Sequence, residues 1–254
     1  MLKKEFKKDN LLVKVYDKRQ SMGAAAAEEA ASWLRAELQA KDKIVAVFAA
    51  APSQNEFLAA LAAAPGIDWK RVHALHMDEY VGLPEGAPQS FGSFLRNAIF
   101  DKVPFGKVDY IGTGSDASVV MARYDRILAE NPVDVVFMGI GENGHIAFND
   151  PHVADFNDPL RIKKVDLDLT CRTQQVHDGC FPDLSAVPEY ALTLTVPALF
   201  SARRLFCMVP AATKADAVKA TVLGPVSEAC PATVMRNHPA ATLYVDSDSG
   251  KYIL

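Results

Sequence analysis

Three short, nearly uninterrupted apolar runs constrain this chain most: Lys43 to Ala50 (KIVAVFAA), Val133 to Met138 (VDVVFM) and Leu205 to Val209 (LFCMV). A strand with a solvated face alternates polar with apolar residues, whereas a strand covered on both faces has no polar side, so runs like these belong in a parallel sheet between helix layers. The segments between them read as the covering helices. Ser21 to Lys41 is alanine-rich and keeps Ala26, Ala30, Leu34 and Leu38 near one face, with charges interleaved, which predicts an amphipathic helix. Ser53 to Glu56 has the S-x-x-E spacing of a capping box, so a helix is expected to start at Ser53 and to stop at Pro65-Gly66.

Further along, Arg71 to Met77 reads as a strand, Asp78 to Pro84 as a charged loop, and Ser90 to Phe100 and Val119 to Glu130 as helices. The stretch from Pro151 to Pro159 reads as loop, Ile162 to Leu169 and Ala191 to Val196 as strands, Ala211 to Leu223 as a helix and Thr242 to Val245 as a last strand. Strands and helices that alternate over short connections require right-handed crossovers, and hence an α/β fold with a mostly parallel central sheet. No repeat, low-complexity tract or linker divides the chain, so residues 1–254 are expected to form a single domain. In an open sheet of this kind ligands sit beyond the carboxyl ends of the strands, which is where the loops at Ala51, Asp78 and Gly139 fall.

The formal charge of -4 supplies no basic surplus to attract nucleic acid or anionic lipid, so any anionic ligand needs a local site. The N-terminal segment is charged rather than apolar and no run approaches membrane-spanning length, so a cytoplasmic protein is expected. Cys171, Cys180, Cys207 and Cys230 contain no C-x-x-C pair, and reduced thiols are expected rather than a disulfide or a metal site.

The chemistry concentrates after the strand ending at Met138. Gly139, Gly141 and Gly144 match G-x-G-x-x-G, but a dinucleotide site also needs a helix whose first amides receive the pyrophosphate, and Asn149-Asp150-Pro151 follows too soon for one. His145, two residues after Asn143 and five before Asp150, could meet a carboxylate and move a proton near neutral pH; the plain alternative is a loop histidine satisfied by backbone. Asp78 and Glu79 offer adjacent carboxylates at a strand end, one of which could act as a base in a desolvated cleft, although helix capping or solvation would explain them equally. Successive side chains diverge, so one of the two is expected to face the cleft. Ser53 and Gln54 stand where exposed helix amides could receive a phosphate, and Lys214, Arg172 and His177 are the candidate cations. The chain lacks G-x-S-x-G, H-E-x-x-H and a Walker loop, which leaves acid/base chemistry without metal or cofactor.

Met77-Asp78-Glu79-Tyr80-Val81-Gly82-Leu83, followed by the run Gly139 to Pro151 (GIGENGHIAFNDP), resembles the glucosamine-6-phosphate deaminase (isomerase) family. Val187 to Thr193 and the surroundings of Lys214 extend the resemblance over most of the chain. It implies a Rossmann-like three-layer sandwich that converts an amino-sugar 6-phosphate into a ketose 6-phosphate and ammonia. By the same resemblance Asp78 would be the base that moves a proton from C2 to C1, and His145 would assist ring opening with Asn143 and Asp150. Ser53, Gln54, Lys214, Arg172, Gly141 and Gly144 would bind the substrate and its phosphate. The chain departs from the family pattern in four places, one being that the family's phosphate arginine is missing near His177, with Arg172 close by. Asn143 stands for an aspartate, Asp150 for a glutamate, and Ala49 to Glu56 for a glycine-rich phosphate loop.

The expected function is therefore isomerisation and deamination of glucosamine-6-phosphate or galactosamine-6-phosphate. A 6-phosphogluconolactonase-type hydrolase and a non-catalytic sugar-phosphate sensor are the alternatives. The expected partner is a small sugar phosphate, with no nucleic acid or membrane, and a homo-oligomer stays open.

Overall fold

In the computed structural model, residues 1–113 and 116–254 are described. The chain begins with a hairpin, β1 (Leu2–Lys8) and β2 (Leu11–Tyr16), and continues with α1 (Arg19–Ala40), β3 (Ile44–Phe48), α2 (Asn55–Ala63), β4 (Val72–His76) and β5 (Asp78–Tyr80). Next come α3 (Phe91–Leu95), which runs into a π-helical turn at Arg96–Phe100, then β6 (Lys107–Asp109), α4 (Ala117–Glu130), β7 (Val135–Met138), β8 (Ile162–Asp166) and α5 (Leu169–His177). The last part holds β9 (Tyr190–Leu194), α6 (Val196–Phe200), β10 (Arg204–Val209), α7 (Ala215–Leu223) and β11 (Ala241–Val245).

Eight strands form the main sheet in the order β1-β2-β11-β10-β7-β3-β4-β6, and every pairing in it is parallel except β1 with β2. The alternation along each strand sorts the core into two layers. Val135 and Phe137 of β7 and Phe206 and Met208 of β10 face α1 and α2, whereas Val136 and Met138, with Leu205, Cys207 and Val209, face α4 and α7. Phe137 stacks among Phe48, Phe57 and Phe206 at centroid distances of 5.0 to 5.6 Å. Each ring buried this way contributes roughly 1.5–3 kcal/mol of apolar transfer. These layers are why the apolar runs carry no polar face, and the result is the three-layer α/β fold with a mostly parallel sheet that the sequence predicts.

The differences from the sequence reading are local. The N-terminal hairpin escaped it because β1 is an edge strand rich in lysine, a composition that blocks edge-to-edge pairing while hiding the alternation. Asp78 to Tyr80 is not a loop but a strand, β5, in a second, antiparallel sheet of order β5-β9-β8. The capping box is absent: Pro52–Gln54 forms a 3-10 turn, α2 starts at Asn55 with no side-chain cap, and Glu56 turns to Arg19 at 2.6 Å instead of reaching back to Ser53. The helix α5 was also unread, although Asp168 caps it by accepting from the Cys171 amide at 2.6 Å. Among the described residues no helix is long and apolar enough to cross a membrane.

Candidate active site

The carboxyl ends of β3, β4, β7 and β10 open into one cavity. Four chain segments leaving those strands form its floor: Ala49 to Ala51 with Ser53 and Gln54, Met77 with Asp78, Gly139 to Gly141 with His145, and Lys214. Gln174, Gln175 and Asp178, from α5 and its C-terminal end, make one wall.

Asp78 and Glu79 part company as the strand geometry requires. Asp78 lines the cavity. Glu79 is spent on structure, accepting from the amides of Tyr80 and Phe91 at 3.0 Å and of Gly92 at 2.9 Å, which anchors α3 to β5. Burial, followed by the neighbouring Glu79 charge, raises the Asp78 carboxyl well above the usual carboxylate range. Behind it His76, fully buried, accepts from the Ile111 amide at 2.9 Å through Nε2 and so donates from Nδ1 to the Asp78 carbonyl, also at 2.9 Å. Burial pushes the His76 ring down to about 4, so this brace is neutral.

The loop from Gly139 to Asn149 continues as turns and an isolated bridge between Ile146 and Asn149 rather than as a helix. Asn149 ties it down, donating to the carbonyls of Ile146 at 3.0 Å and Leu194 at 2.8 Å. Ala147 sits at a φ of 50°, a left-handed conformation costly for alanine and held here by the surrounding bonds. The loop presents His145 with Nδ1 2.8 Å from Asp150 Oδ1, which leaves Nε2 as the other ring nitrogen. Asn143 does not touch the ring. It accepts from the His145 amide at 3.0 Å and donates to Asp150 Oδ1 at 2.8 Å, bracing both partners from the side. An aspartate at 143 would set a second carboxylate against Asp150, so the amide suits this pairing. Burial pushes the Asp150 carboxyl up, but His145, Asn143 and Cys171 outweigh it and hold the group below the usual carboxylate range.

The two glycines differ in role. Gly141 lines the cavity, and a Cβ there would collide with the His145 ring. Gly144 does not line it; with a φ of 86° and Cys230 Sγ 2.5 Å from where a Cβ would stand, it shapes the loop from behind.

Lys214 arrives on a 3-10 turn after β10, Ala212–Lys214, and Ala211 just before it adopts a φ of 85° with its amide held by Asp246 at 3.1 and 3.3 Å. The side chain is 5% exposed, lines the cavity, and makes no hydrogen bond or ion pair with the described residues. Burial lowers its basicity, against the pull of Asp178 and Glu142.

Ser53 and Gln54 line the cavity but bond each other: Gln54 Nε2 donates to Ser53 Oγ and to the Met208 carbonyl, both at 3.1 Å, leaving Gln54 Oε1 buried without a partner. Arg172 goes elsewhere. Its Nη2 donates to the carbonyls of Leu184 and Val187, each at 3.0 Å, because α5 turns that face toward the following loop, and it does not line the cavity. His177 is exposed and 3.8 Å from Glu142. Gln174, Gln175 and Asp178 were missed with α5 itself; the Asp168 cap was the signal that could have found them. His145, Asp150 and Cys171 offer three donor atoms within 4.8 Å of one another, types that zinc accepts, although no step below needs a metal.

Residues 17–244 match the family described as glucosamine-6-phosphate isomerases/6-phosphogluconolactonase. The chain belongs to this family. Within it, the glucosamine-6-phosphate deaminases of Bacillus thuringiensis (strain Al Hakam) and Bacillus anthracis (strain A0248) are each 39% identical over 185 residues, covering 72% of this chain and 68% of theirs. A monomeric glucosamine-6-phosphate deaminase of the NagB superfamily has the same fold, with a TM-score of 0.85 over 94% of this chain and 98% of its own at 23% identity. The 6-phosphogluconolactonase of Thermotoga maritima shares the fold at a TM-score of 0.75, over 93% of this chain and 99% of its own at 20% identity.

Proposed function

We propose that the protein converts an amino-sugar 6-phosphate, glucosamine-6-phosphate or galactosamine-6-phosphate, into the ketose 6-phosphate with release of ammonia. One observation carries this reading: the buried Asp78 carboxyl and the His145–Asp150 pair share a single cavity with Lys214, a lysine only 5% exposed that has no hydrogen bond or ion pair among the described residues. A buried, unpaired charge is costly unless a ligand completes it, so the lysine points to an anionic group on the substrate. Family membership and the 39% identity to the Bacillus deaminases support the same reading.

The chemistry follows from the positions. His145, oriented through Nδ1 by Asp150, exchanges protons with the ring oxygen and the C1 hydroxyl and so opens the sugar. Asp78, its proton affinity raised by burial and by Glu79, takes the proton from C2 and returns it to C1 while one amine proton passes to the C1 oxygen, which turns the aldehyde and amine into a ketose imine. Water adds to that imine carbon and ammonia leaves, so one water is consumed for each ammonia released. Because the cavity draws on segments from residue 49 to residue 214, residues 1–254 are read as one working domain.

The test is to incubate the protein with hexosamine 6-phosphates and to measure ammonia and ketose phosphate, with Asp78→Asn as the control. Equimolar ammonia and ketose phosphate, lost in the variant, is the expected result. Hydrolysis of a sugar lactone without ammonia would replace the proposal with the hydrolase reading, and tight binding without turnover would replace it with a sensor.

A further inference from the structure

The end of the cavity that holds Lys214 also holds a carboxylate. Asp178 caps α5 with its amide on the Gln174 carbonyl at 2.8 Å, and its Oδ2 accepts from Gln174 Nε2 at 3.2 Å. Gln174 Oε1 in turn accepts from the Glu142 amide at 2.8 Å, so the carboxylate is tied to the histidine loop rather than free to leave. Oδ1 carries no hydrogen bond to the described residues. The titratable and charged groups around this end are Lys214 from the turn after β10, Glu142 and His145 from the histidine loop, Asp78 from β5, and Cys171, His177 and Cys180 from α5 and its end. Arg172, the other candidate cation, is bound to backbone carbonyls. Lys214 therefore shares this end of the cavity with one carboxylate, Asp178, and feels a second, Glu142, through space, while forming an ion pair with neither.

A phosphate monoester loses its second proton near pH 6, so it is mostly a dianion at neutral pH. One ammonium beside a fixed carboxylate opposes a dianion, but a monoanion fits: one oxygen accepts from Lys214 and the P–OH donates to a carboxylate, a short, charge-assisted bond. We propose that Asp178 is a specificity-determining residue that makes the site take the substrate's phosphate group as its monoanion, with the phosphate hydroxyl donating to Asp178 Oδ1. This rests on the phosphorylated substrate proposed above.

Inorganic phosphate and sulfate separate the inference from the reaction, because sulfate has no proton to donate near neutral pH. Calorimetric binding is measured for wild type, Asp178→Asn and Asp178→Ser, each checked for an unchanged melting temperature. Wild type is expected to bind phosphate, to weaken toward tenfold per pH unit once inorganic phosphate loses its second proton, about one pH unit above a phosphate monoester, and to bind sulfate at least tenfold more weakly than phosphate. Both variants are expected to bind the two anions alike and to lose that pH dependence. Equal sulfate and phosphate binding by the wild type, or variants that keep the discrimination, would overturn the inference. Discrimination by the wild type without turnover of any hexosamine 6-phosphate would uphold it and defeat the proposed reaction instead. With active enzyme, Asp178→Asn is expected to lower KM at pH 8 about tenfold or more.

Discussion

His76 sets how the fold responds to acid. Its ring is fully buried and neutral, donating to the Asp78 carbonyl and accepting from the Ile111 amide, each at 2.9 Å, and burial takes its pKa from 6.5 to about 4. The unfolded chain protonates this ring as the pH falls through 6.5, and the folded chain does so only near 4. A depressed folded value means stability that is present above 6.5 and lost as the pH falls toward 4. At 1.36 kcal/mol per unit, the shift of about 2.5 units amounts to on the order of 3 kcal/mol, a large part of the 5–15 kcal/mol typical of a folded protein. His73 and His238 are also depressed by burial and act in the same direction, whereas Asp78 and Glu79, raised by burial, act in the opposite one. The variant His76→Gln isolates the ring from these. Urea unfolding of both proteins at several pH values should show the variant less stable near pH 7, through its lost hydrogen bonds, with the gap narrowing by about 2–3 kcal/mol near pH 4.5. A gap that stays constant across that range would refute the argument, since it would mean that the ring does not titrate differently in the two states.

Three further perturbations separate chemistry from structure. Asp78→Asn should cut deamination about 10²- to 10⁴-fold, the usual worth of a general base, yet raise the melting temperature at neutral pH; the raised carboxyl contributes stability only below its folded pKa, so ionisation there is a cost that asparagine removes. Gly141→Ala should lower kcat/KM at least tenfold, because the new Cβ displaces the His145 ring, and should cost about 1–3 kcal/mol of stability by overpacking; unchanged kinetics would mean that the ring position is not needed. Arg172→Ala should leave KM for the phosphorylated substrate within about twofold and destabilise the fold by roughly 1–3 kcal/mol through the orphaned carbonyls of Leu184 and Val187; a large rise in KM would restore Arg172 to the phosphate.

The main-sheet strands β3, β4, β7, β10 and β11 were legible because burial on both faces leaves a composition that needs no partner to be recognised, whereas the short, partly exposed edge strand β6 was not. The clustering of Asp78 with His145 and Asp150 was legible because segments that follow such strands converge at one edge of the sheet. Less was readable where pairing is long-range. Asp78 to Tyr80 becomes a strand only because β9 lies alongside it, 110 or so residues later in the chain, and β1 is a strand only because β2 pairs with it.

From its own pattern, then, the chain determines the α/β alternation and the carboxyl-edge location of the candidate site, both of which depend on local composition, while the acid/base roles proposed for Asp78 and His145 come from the family resemblance. The tertiary structure alone decided that, in the loop from Gly139 to Asp150, Asn143 braces His145 and Asp150 rather than bonding the ring. It also decided that Arg172 leaves the site, that Glu56 turns to Arg19, and that Asp178 comes to share a cavity with Lys214. Those outcomes depend on which way a side chain points once distant segments pack, and that direction is set by the partner it meets, not by its place in the sequence.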